Sequence, residues 1–117
     1  MRIVNGVLAV LLVLFVAVQW NDPDGPFWMV VYGAGAIWCG IAAFRSNLFA
    51  SNPVFGLFAL TFAAVIVGLV YFWPTTPGWW KQDVWWETET AREGMGMMIM
   101  VVALFFASFG ARRARRM

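Results

Sequence analysis

Histidine is missing from the sequence altogether, and cysteine occurs once, at Cys39. Without imidazole there is no histidine-ligated haem, no histidine zinc site and no histidine general base. A single thiol neither closes a disulfide within the chain nor builds a cysteine zinc site. Charge is the third scarcity. Only 12% of the 117 residues are charged, against about a quarter in soluble domains. No cofactor is evident from such a residue set, and a hard divalent cation on carboxylates is the one metal chemistry left open.

What is abundant is apolar surface. Hydrophobic residues make up 62% of the chain, gathered in four uncharged runs at 3–20, 27–44, 53–73 and 94–111. Each is close to the ~20 residues that cross ~30 Å of hydrocarbon as a helix. Barrel strands would be about half that length and would alternate apolar with polar. The expectation is an all-α fold in one domain over 1–117, a four-transmembrane-helix bundle made of two antiparallel hairpins. The helices fall at about 3–20, 27–44, 53–73 and 84–110, with outer loops at 21–26 and 74–83. No small-x-small pattern precedes the first turn, so the first run reads as a retained helix and not a cleaved signal.

Charge placement predicts the orientation. Arg2, Arg45, Arg112, Arg113, Arg115 and Arg116 fall on one side of a four-helix path. All six acids, Asp22, Asp24, Asp83, Glu87, Glu89 and Glu93, fall on the other, with Lys81 and Arg92. By the positive-inside rule both termini are cytoplasmic and the acidic loops lie outside a bacterial inner or plasma membrane. The arginine-rich tail suits anionic lipid headgroups. No folded basic face accompanies it, which argues against nucleic acid.

Small residues recur every fourth position at Gly35/Cys39/Ala43 and Ala36/Gly40, at Ala59/Ala63 and Ala64/Gly68, and at Ala103/Ala107/Ala111. Such stripes let helices approach closely in lipid, and one of them suits a membrane-protein partner. Seven of the eight tryptophans sit near the expected outer face, either as an interfacial belt or as a lid over it. Met95, Met97, Met98 and Met100 read as packing. Asn5 and Thr61 read as interhelical hydrogen bonds.

The chemistry concentrates at the acidic end. Glu89 and Glu93 share one helical face, and Arg92 is three residues beyond Glu89. Asp22 and Asp24 enter from the first turn, with Asn21 beside them and Gln19 and Tyr32 one to two turns away. Three roles fit these residue types. Asp22, Asp24, Glu89 and Glu93 supply oxygen ligands for a divalent cation. Alternatively, Glu89 and Glu93 act as an acid–base pair in which one carboxyl is forced neutral. Or Arg92 bridges to Asp22 or Asp24 and staples the last helix to the first hairpin. Helix capping by Asp22 or Asp24, with Pro23 or Pro26 in the first turn, is the plainest alternative.

Two stretches, "QWNDPDGPFWMVVY" and "ETETAREGMG", resemble the transmembrane protein 220 family of small four-helix membrane proteins. The shared positions are Asn21, Asp22, Pro23, Asp24, Trp28, Tyr32, Glu89, Arg92, Glu93 and Gly96. The resemblance implies the four-span fold and a shared outer-face cluster, with Pro23, Trp28 and Gly96 in structural roles, and it implies no reaction. It raises the weight of a site built from Asn21, Asp22, Asp24, Tyr32, Glu89, Arg92 and Glu93. The functional expectations are a binding protein for a cation or polar lipid headgroup, a small membrane enzyme acting on a lipid-like substrate, or an accessory subunit of a larger complex. Membrane lipids are partners in each case.

Overall fold

The computed structural model describes residues 1–116, and among them all regular structure is helical. In chain order come α1 (Arg2–Val18), α2 (Gly25–Phe44), a 3-10 turn (Ser46–Ala50), α3 (Asn52–Tyr71), α4 (Gln82–Glu87) and α5 (Glu89–Arg116). Three of these, α2, α3 and α5, are long and apolar enough to cross a membrane. The apolar α1 is shorter, at 17 residues.

Local chemistry accounts for the helix ends. Beyond α1 the chain makes consecutive turns, with Asp22 N–H bonding to Gln19 O and Gly25 N–H to Asp22 O. Pro26 lies in the first turn of α2, where its missing N–H costs nothing. Ser51 stands in extended backbone before α3, with Pro53 in the next turn. Ser51 makes no side-chain cap, and Asn52 Oδ1 instead accepts from Arg115 Nη2 at 2.8 Å.

The last helix differs from its expected course of 84–110. It breaks at Thr88, whose backbone is extended (φ −105, ψ 111), leaving α4 as a separate short helix. Asp83 lies within the first turn of α4, and Lys81 holds the cap position. Beyond Gly110 the helix continues through the arginines. Cations suit the negative end of the helix dipole, and Ala111 and Ala114 are buried there. Arg115 also lies 4.4 Å from the Phe55 ring centroid and donates to Phe49 O.

The core runs along α5, which touches every other element. Met97, Met100, Leu104, Ala107, Ala111 and Ala114 are buried and alternate three- and four-residue steps, the pattern of a continuous packing seam. The expected stripe Gly35/Cys39/Ala43 on α2 meets this seam, and Cys39 Sγ lies 3.6 Å from Ala103 O. Asn5 donates across from α1 to Phe106 O at 3.2 Å. Thr61, by contrast, bonds within its own helix to Leu57 O. After α3 the chain crosses α5 at Gly94, where a Cβ would lie 2.5 Å from Pro74 Cδ and 2.6 Å from Phe72 O. That crossing fixes where the long loop leaves the bundle and where α4 returns.

Candidate functional site

At the acidic end, α1, α2, α4 and α5 enclose a pocket of about 560 Å³. Asp24 occupies the cap position of α2 but makes no side-chain cap bond. Its Oδ2 accepts instead from Trp28 Nε1 at 3.2 Å, which leaves the rest of the carboxylate facing the pocket. Glu89 and Glu93 come from the first turns of α5. One oxygen from each of Asp24, Glu89 and Glu93 lies within 4.8 Å of the others. Carboxylates this close repel when all are ionised, and a shared proton or cation relieves the repulsion.

Arg92 does not supply that relief by an ion pair with Asp22 or Asp24. Its Nη1 donates to Trp85 O at 3.2 Å and to Trp86 O at 2.6 Å. The guanidinium thus satisfies the carbonyl end of α4, and this is the reason a six-residue helix terminates stably beside α5. The expected staple between Arg92 and the first hairpin is replaced by a clamp between α4 and α5.

Glu93 feels the consequence. With 28 residues, α5 is ~42 Å long at ~1.5 Å per residue, more than ~30 Å of hydrocarbon requires. Its uncharged stretch begins at Gly94, so Glu93 precedes the span. Partial burial, and after it Asp24 and Glu89, hold the Glu93 carboxyl above its usual range, while Arg92 pulls the other way.

The remaining walls sort the sequence candidates. Asp22, Asp24, Tyr32, Glu89, Arg92 and Glu93 all line the pocket, as does Gln19. Asn21 and Pro23 are exposed in the turn and lie outside its walls. Asp22 reaches the pocket but not the three-carboxylate cluster. Trp28 and Gly96, expected to be structural, are pocket walls as well. The Tyr32 hydroxyl rests against Gly96, in the space a Cβ there would need.

Sequence reasoning missed Phe15, Val18, Trp85, Trp86, Met95 and Ile99 as lining residues. The apolar ones carried no signal that separates a pocket wall from a lipid-facing side chain. For Trp85 and Trp86 the signal was the outer tryptophan cluster itself. Trp85 and Trp86 of α4 line the pocket, while Trp79 and Trp80 pack edge-to-face on each other and are not among its walls.

Comparison with known proteins agrees with this picture of the fold. The model of the family described as "Transmembrane family 220, helix" matches residues 11–109, which include every pocket residue. No curated protein and no solved structure matches the chain.

Proposed function

The chain belongs to transmembrane family 220, and from that premise we propose a four-span membrane protein whose pocket at the acidic end binds a cation or the polar headgroup of a lipid. The observation that carries this reading is the meeting of three carboxylates from two separate segments, within 4.8 Å of one another, in a pocket whose other walls are mostly apolar or aromatic. Four acids line the pocket against one arginine, Arg92, whose Nη1 donates to the carbonyls of α4. A net negative potential favours a positive ligand.

The fourth span in this reading is α1, whose 17 residues are extended toward the required length by Gln19 and Trp20. The arginines at the opposite end support cytoplasmic termini and an outward-facing pocket. A second reading has Glu89 and Glu93 acting as acid and base on a lipid-like substrate. It is favoured by the surroundings that raise the affinity of Glu93 for its proton, the direction a general acid needs. For a membrane-protein partner, Ala59, Ala63 and Ala64 of α3 are exposed and Gly40 of α2 has open space beside it, whereas the stripes at Gly35/Cys39/Ala43 and Ala103/Ala107/Ala111 pack within the fold.

The test is thermal unfolding in detergent, with a chelator and then with a panel of divalent cations and amines, for wild type and Glu93→Gln. A saturable rise in Tm that the variant loses is expected, by mass action on the folded state. A wild type that responds to no cation overturns the binding reading. Turnover of a lipid extract that Glu93→Gln abolishes selects the enzyme.

A further inference from the structure

We propose that the ligand of this pocket is a primary alkylammonium head on an apolar chain, its three N–H groups shared among Asp24, Glu89, Glu93 and the Tyr32 hydroxyl while its chain lies along the apolar wall. This rests on the cation-binding reading above and narrows it.

Size is the first argument. A space of about 560 Å³ lies in the range of small-molecule sites, roughly 300–1,000 Å³, and a bare metal ion would fill a minor part of it. The donor set is the second. Ca²⁺ wants about six to eight oxygens, which three carboxylates reach only if each binds through both of its oxygens, and the same pocket is lined by Phe15, Val18, Met95 and Ile99. Acidic and apolar walls in one pocket match an amphiphile with a cationic end.

Tyr32 is the independent third argument. Its side chain is only 7% exposed and its hydroxyl lies on the pocket wall against Gly96. It makes no hydrogen bond among the described residues, which leaves its oxygen free to accept from a ligand in the pocket. An ammonium N–H beside the carboxylates supplies the missing donor. Trp28 and Trp86 in the same walls supply aromatic rings, which attract an organic cation.

The experiment uses the full chain in maltoside micelles and reads Tm against hexylammonium, with methylammonium, hexyl sulfate, Ca²⁺, Mg²⁺ and Mn²⁺ in parallel. Hexylammonium should stabilise saturably, at a half-effective concentration at least about tenfold below that of methylammonium, since each buried methylene adds about fourfold. Asp24→Asn and Glu93→Gln should each lose the effect. Trp86→Ala, whose side chain is largely exposed and whose loss spares the fold, should weaken it by about three- to tenfold. Micelles doped with phosphatidylethanolamine, compared with phosphatidylglycerol, identify the source. A rise with the former assigns the head to a membrane lipid, and a rise with hexylammonium alone assigns it to a free amphiphile. A divalent-ion response lost in Glu93→Gln, without an ammonium response, overturns this inference and keeps the cation reading. Silence toward every cation overturns both. Stabilisation by hexyl sulfate as well, or by hexylammonium in Glu93→Gln, reduces the effect to tail partitioning and overturns the inference.

Discussion

A methyl group added to Gly96 would occupy the place of the Tyr32 hydroxyl, so Gly96→Ala forces either the ring or α5 to move. Overpacking of this kind costs about 1–3 kcal/mol, and the variant should melt correspondingly lower. Tyr32→Phe in the same background should recover most of the loss, because it deletes the atom that clashes. By itself Tyr32→Phe should change stability by less than ~1 kcal/mol, as the hydroxyl has no protein partner to lose. Glu93 makes a second prediction at this scale. Its carboxyl binds a proton more tightly in the folded protein than in the unfolded chain. Its contribution is therefore fully present below the ordinary carboxylate range and is lost as pH rises through the raised folded value. Tm followed between about pH 4 and 8 should carry a falling component in wild type that Glu93→Gln removes. At neutral pH the variant should be at least as stable as wild type, whereas loss of a stapling ion pair would have the opposite sign. The sequence marked Asp22 and Asp24 as equals. Their inequality depends on the backbone between them, which directs Asp24 onto Trp28 Nε1 and the cluster.

Among the helices, the short α4 is the one whose existence depends on a single side chain. Arg92 reaches back from α5 to the carbonyls of Trp85 and Trp86, so Arg92→Ala should fray α4 while the bundle below stays intact. Amide exchange should accelerate over residues 82–88, with the main transition displaced by no more than ~1 kcal/mol, because the lost bonds are exposed and water replaces them. Global unfolding of this variant would restore the staple. Helix placement was legible from hydropathy and from Pro26 and Pro53, since each acts within a turn or two of its own position. The break at Thr88 was not. Asp83 and Glu87 suggest one continuous helix start, and the carbonyl acceptors that end α4 become satisfied only when Arg92 folds back onto them.

Across the molecule, a body 46 Å long, six of the eight basic residues lie toward the end opposite the six acids, and this polarity carries the topological prediction. Cys39 is fully buried, so its thiol should leave a low background in labelling. A membrane-impermeant maleimide should label Asp83→Cys on intact cells and Ser46→Cys only after permeabilisation; the reverse pattern would invert the orientation. Only 11% of the apolar stretch of α3 is buried within the fold, which leaves most of its surface open to lipid or to a partner. By itself the sequence determined the helical class, the membrane character and the end of the molecule at which chemistry gathers. These follow from run length, side-chain transfer energy and the sign of charge, all of which are additive along the chain. Only the tertiary structure decided that α5 forms the core seam, that Arg92 turns to α4, and that Asp24, Glu89 and Glu93 meet while Asp22 and Asn21 stay apart. Those outcomes depend on the rotation of each helix about its axis. Small residues such as Gly35, Gly94 and Gly96 set that rotation by where they let neighbouring backbones and side chains approach.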